Sequence, residues 1–217
     1  MFNRAILSFF IFAGFPLFSA KFEMKDLAYR NIVLVNSEAL LERTVAVSHF
    51  ASGWLELTPD NLESLSAEFE LDVRTFETGL ELKNIQLREQ LLSAKEFPIA
   101  KATCSTPTGF QKTKLVDRKP LTVPVECSIK LKNTQQKIPM NLKLIYFKEN
   151  EESRQRLTGN LLKVSAVWDL DLASFGIVIP AKYSALIAKT VQVTVDMVGS
   201  DRLPDNTLSL PEGLKKK

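Results

Sequence analysis

One histidine and two cysteines are all that the 217 residues contain of those types. Structural zinc sites draw four ligands mainly from these side chains, so three of them supply no zinc finger, metal–sulfur cluster or haem cage, and neither a metal nor a cofactor is expected. Charge of one sign is missing too. The 28 Lys and Arg stand against 25 Asp and Glu, and the resulting +3 is too small and too scattered for a phosphate-binding stripe. Nucleic acid is therefore not an expected partner. No nucleophile elbow and no Gly-rich phosphate loop occurs. A catalytic triad would have to use His49, the only imidazole, which sits in the strand-like Val47-Ser48-His49-Phe50; it reads as a core or rim histidine, and the chain as no enzyme. Repeats and Gly/Ser linkers are absent, and the one low-complexity piece is the Lys215-Lys216-Lys217 end. What remains, 45% apolar and 24% charged, is the composition of one globular domain; it excludes collagenous, disordered and polytopic membrane chains.

The single long hydrophobic run is at the start. Asn3 and Arg4 precede Ala5 to Ala20, a positive beginning, an apolar run of signal length and a small-residue end. Residues 1–20 read as a secretory signal peptide, residues 21–200 as one domain and residues 201–217 as a C-terminal tail. The alternative for the first segment is a membrane anchor, but the run is short for a bilayer span and Pro16 breaks it near the cut. Phe18 is large for its place three residues before that cut. No cysteine near residue 20 offers a lipidated N-terminus. The mature chain is expected in the periplasm or secreted, without stable membrane insertion.

Past the signal, apolar and polar residues alternate. In Leu65-Ser66-Ala67-Glu68-Phe69-Glu70-Leu71-Asp72-Val73 every odd position is apolar, the pattern of a strand with one buried and one wet face. The same parity runs through Val123 to Leu131, Ile138 to Tyr146, Leu162 to Leu170 and Val191 to Met197. Asn31 to Val35 and Val45 to Leu57 also read as strands, less cleanly. Parallel strands are covered on both faces and read as continuous apolar runs, so the alternation predicts an all-β, antiparallel fold, a barrel or a sandwich of seven or eight strands. One segment breaks the pattern: Asn84 to Leu92 is predicted as a short helix capped by Asn84, with Leu87 and Leu91 on one face and Pro98 beyond it. A second short helical or irregular piece is expected between Pro180 and Lys189.

At this point the chain resembles the YceI family of exported, lipocalin-like barrels that bind polyisoprenoids and related lipids. The residues that carry the resemblance are Leu71-Asp72-Val73-Arg74-Thr75-Phe76-Glu77-Thr78-Gly79-Leu80-Glu81-Leu82-Lys83-Asn84, then Leu87, then Phe97-Pro98-Ile99-Ala100, and downstream Leu170 to Ile177 with its Phe175-Gly176-Ile177 ending. They are similar to the family's strand, Thr-Gly corner, helix and re-entry into the next strand. The resemblance implies an antiparallel eight-stranded lipocalin-like barrel with one or two short helices at the barrel end, and a long-chain lipid or isoprenoid as partner. The sequence departs from the family pattern at Lys83-Asn84, where Arg-Asp is usual, at Leu91-Leu92, where two Phe are usual, and at Leu172, where an Arg is usual. Lys lacks the bidentate fork of Arg and Asn carries no charge, so an ion pair closing the barrel end is weakened or replaced here.

Eight strands enclose either a filled core or room for one slender ligand. A buried CH₂ contributes about 0.8 kcal/mol against association costs of about 4 to 15 kcal/mol, so a polyisoprenoid, isoprenoid quinone or fatty-acyl chain suits the interior better than a short molecule. The candidate ligand-binding residues are the inward sets: Phe69 and Leu71, Val125 and Ile129, Met140 and Leu142, Val164 and Trp168, Val193 and Val195. Leu87 and Leu91 are candidates for a lid. Plain core packing is the other reading of each; Met140 and Trp168 rank first because a thioether and a flat ring adapt to a guest. Lys83 or Arg88 is placed to meet an anionic head group, or is only solvated. Cys104 and Cys127 share the inward parity and flank a polar stretch, Gln111 to Lys119; if that is a hairpin tip they lie opposite one another as a disulfide, and otherwise they are two buried thiols. The competing functional reading is a structural or interaction domain, packed throughout and without ligand, as a monomer or a homodimer.

Overall fold

The computed structural model describes residues 19–202. Apart from Ser19 and Ala20 the expected signal peptide lies outside the described residues, as does the expected tail apart from Asp201 and Arg202. Ten β segments lie among the described residues: β1 (Ala20–Glu23), β2 (Ile32–Glu38), β3 (Arg43–Ser48), β4 (Ala51–Leu57), β5 (Leu65–Asp72), β6 (Ile99–Ser105), β7 (Pro120–Leu131), β8 (Thr134–Phe147), β9 (Leu161–Asp171) and β10 (Thr190–Ser200). They make eight walls. β1 and β2 follow one edge of β10, with Glu23 opposite Ser200 and Ile32 opposite Asp196, and β3 runs into β4 across His49 and Phe50 alone. Each wall pairs antiparallel with the next in sequence, and the β1–β10 contact closes the ring. The expected barrel is therefore the observed one, an up-and-down meander.

The long regular strands follow from the alternation. Val123, Val125, Cys127 and Ile129 of β7 are buried while Pro124, Glu126 and Lys130 are exposed, so one face reaches the interior at every second residue. The two kinked walls read less cleanly because the kink flips their parity. Ala46 and Ser48 are buried on β3, and Ala51, Leu55 and Leu57 on β4. Where the first wall kinks, between β1 and β2, the ladder is interrupted and buried Asn31 takes its place: its amide donates to the Met24 carbonyl at 3.0 Å and its oxygen accepts the Val198 N–H at 3.0 Å. At the same seam Gly199 lets the walls meet, since a Cβ there would stand 2.9 Å from the Glu23 carbonyl oxygen and 2.5 Å from the Met24 sulfur.

One end of the barrel gathers the turns at 38–43, 72–99, 131–134 and 171–190; the other carries both described chain ends and the turns at 57–65, 105–120 and 147–161. Helix α1 (Glu81–Ile85) continues as a π-helical turn, Gln86–Leu91, across the first end. This corrects the predicted helix start at an Asn84 cap. Leu80 precedes the helix without a side-chain cap, and Asn84 lies inside it, 2% exposed. Its side-chain oxygen accepts from the Thr78 N–H and hydroxyl, both at 2.8 Å, and its amide donates to Glu77. An Asn side chain satisfies nearby backbone groups from within a helix as well as from its start; here it ties the Thr78-Gly79 corner to α1. The segment after Pro180 forms a short 3₁₀ turn, Ala181–Tyr183. A second helix, α2 (Glu151–Arg154), lies at the opposite end behind the Asn150–Ser153 capping box.

Candidate functional site

The interior is filled at one end and hollow at the other. Near the chain ends Phe22, Leu55, Leu57, Leu62, Leu144 and Leu162 are all at most 2% exposed, and Phe22 meets Tyr146 edge to face with centroids 6.2 Å apart. This is the floor. Above it a cavity of about 270 Å³ opens towards the helical end. Close-packed cores leave few voids larger than one water, so the space is not a packing defect. On β9 its wall includes Val164, Ala166, Trp168 and Leu170, which span about 20 Å of strand, and, just beyond the strand, Leu172.

The sequence-predicted residues come together here with one exception. Phe69 and Leu71 of β5, Ile129 of β7, Met140 and Leu142 of β8, Val164 and Trp168 of β9, and Val193 and Val195 of β10 line the cavity, and Leu87 and Leu91 cover it from the helical turn. The Leu92 N–H bonds back to the Leu87 carbonyl at 3.0 Å, the five-residue step that lets Leu87, Leu91 and Leu92 all face inward. Val125 is the exception. It is buried but lies outside the lining, because inward parity is the same for the floor and for the hollow half. Cys104 and Cys127 stand directly opposite on β6 and β7, joined as a disulfide that forms part of the wall.

Sequence reasoning left the small residues out of the candidate set. Ala46, Ala51, Ala100, Ala102 and Ala166 all line the cavity, and they are what leaves it open. Ala100, Ala102 and Ala166 were legible by their inward parity; Ala46 and Ala51 lie on either side of a kink. Of the mouth it found only Lys83. Ser37, Glu42 and Thr44 of the β2–β3 hairpin meet Lys83 and Gln86, and Tyr183 of the 3₁₀ turn, around the opening. Lys83 forms an ion pair with Glu42 and donates to Thr44 Oγ1 at 3.3 Å. Arg88 turns away from the cavity: its Nε donates to the Phe76 carbonyl at 2.8 Å and its guanidinium pairs with Glu77. His49 is exposed and does not line the cavity. No group of three or more His, Cys, Asp or Glu side chains is arranged for a metal among the described residues.

A closed meander of eight strands around an apolar, end-opened cavity defines a lipocalin-like binding barrel. The sequence profile of the YceI-like domain matches residues 31–199, and the chain belongs to that family. Among solved structures it is similar to a polyisoprenoid binding domain from Saccharophagus degradans, with a TM-score of 0.60 and 16% identity over 83% of this chain and 98% of that one. It is likewise similar to BcnA of Burkholderia cenocepacia (TM-score 0.59, 18% identity, 80% of this chain and 98% of that one) and to the YceI protein of Campylobacter jejuni (0.52, 10%, 70% and 82%). At these identities the likeness is one of fold. No curated protein matches the sequence.

Proposed function

We propose that the protein is an exported, non-catalytic carrier or sequestering protein that holds a long apolar chain, of polyisoprenoid, isoprenoid-quinone or fatty-acyl type, inside its barrel. The observation that carries this reading is the cavity, walled by aliphatic and aromatic side chains and open at one end. Burying a tail of about 15 carbons releases roughly 12 kcal/mol gross, which outweighs most of the association cost of about 4 to 15 kcal/mol. Family membership and the likeness to a polyisoprenoid binding domain support the class of guest. The Cys104–Cys127 disulfide supports export, since such bonds persist in oxidising compartments. A packed barrel without ligand is disfavoured by the open volume.

Solvent extraction of the purified protein followed by mass spectrometry tests the proposal. A near-stoichiometric long-chain molecule is expected. Recovery of none, together with no uptake of a lipophilic fluorescent probe by the extracted protein, overturns it.

A further inference from the structure

The lining of the cavity has charge, and within it every charge is paired. Glu42, Glu70, Lys83 and Lys101 are the ionisable acidic and basic residues along the lining. Glu70 and Lys101 occupy paired outward positions on β5 and β6 and bind each other. Lys83 and Glu42 do face the opening; their side chains are 26% and 29% exposed, and they too form an ion pair. Arg88 is occupied by Glu77 and the Phe76 carbonyl. Lys182 is exposed and rests over the Tyr183 ring at 4.7 Å, outside the lining. A phosphate or carboxylate drawn to the opening would meet a lysine already neutralised and, beside it, the carboxylate that neutralises it. Charge moved into a partly dry site without a counter-ion is costly.

The uncharged groups of the opening show the opposite bias. The Ser37 hydroxyl oxygen accepts the Ala188 N–H at 3.0 Å, Thr44 Oγ1 accepts from Lys83 at 3.3 Å, and the Tyr183 hydroxyl accepts from the Gln86 amide at 3.3 Å. Each hydroxyl is thus engaged as acceptor and keeps its own proton to give. Three neutral donors surround an apolar tube whose lining, among the described residues, holds no unpaired cation. We infer that the guest carries an uncharged, hydrogen-bond-accepting head, such as a quinone or ester carbonyl or an alcohol oxygen, in preference to a phosphate or carboxylate. The inference rests on the lipid-carrier reading and names the chemical class of its ligand.

Probes of matched tail length test it. On delipidated protein made from the full chain, menaquinone-4, geranylgeraniol and geranylgeranyl diphosphate compete for a bound lipophilic fluorophore. The two uncharged lipids are expected to bind at least about tenfold more tightly than the diphosphate, equivalent to ~1.4 kcal/mol. Glu42→Gln releases Lys83 from its pair and narrows the gap by strengthening the diphosphate. Should that variant not fold, Tyr183→Phe removes one donor and weakens quinone and alcohol severalfold while the diphosphate is unchanged. A wild-type protein that binds the diphosphate as tightly as the alcohol overturns the head-group assignment and leaves the carrier reading standing. Competition by none of the three overturns the carrier reading itself.

Discussion

Alanine decides where this barrel is hollow. Ala102 lies opposite Phe69 on one side and Ile129 on the other, so its missing side chain leaves a gap that neither neighbour fills. Ala102→Phe puts a ring into that gap; it is expected to abolish uptake of a lipophilic probe while the melting temperature holds or rises, as cavity filling generally allows. Loss of folding instead would show that the space is needed for the fold and not for a guest. Parity along each strand was enough to select Phe69, Leu71, Met140, Trp168 and Val193 for the interior, because a two-residue period fixes the face. It was not enough to separate Val125 from Ile129, two inward residues of one strand, since position along the axis depends on register with the neighbouring walls and on what fills them.

The elements read from sequence in proportion to their regularity. β5 and β7 to β10 keep a single parity over most of their length and were legible there, with their ends extending beyond the alternating stretch. The first two walls were not, since each changes parity at its kink, and the alternation that names a strand then contradicts itself within a dozen residues. What holds such a wall in line is a side chain. Asn31→Ala leaves the Val198 N–H and the Met24 carbonyl without partners in a buried setting, and about 3 kcal/mol of stability is expected to be lost, read as a lower midpoint in chemical denaturation with an unchanged slope. Neighbouring Asp26 adds a second brace at this bend: its carboxylate, 1% exposed, pairs with Arg30 at 2.9 Å and Arg156 at 3.0 Å. The helix was legible as an element but not in its start, because Asn84 acts on the turn before it and not as the first cap.

At the level of the whole molecule the barrel has two halves with different work. The floor is packed tightly around Phe22, Leu55 and Leu144; the mouth half is walled but unfilled, and it is covered by α1 with its π-helical continuation and by the 3₁₀ turn after Pro180. A guest therefore adds contacts to one half only. In hydrogen exchange, ligand is expected to raise protection in β2, β3, α1 and residues 180–189 and to leave the floor ends of β7, β8 and β9 nearly unchanged; uniform protection would place the guest elsewhere. The meander adds a constraint of time. β10 is the last strand of the ring, yet it alone joins β9 to both β1 and β2. Until residues 190–200 are available the other walls form an open, curled sheet with two bare edges and no enclosed volume. A barrel of this topology thus cannot be loaded during its own synthesis: it has to be finished before it can be filled.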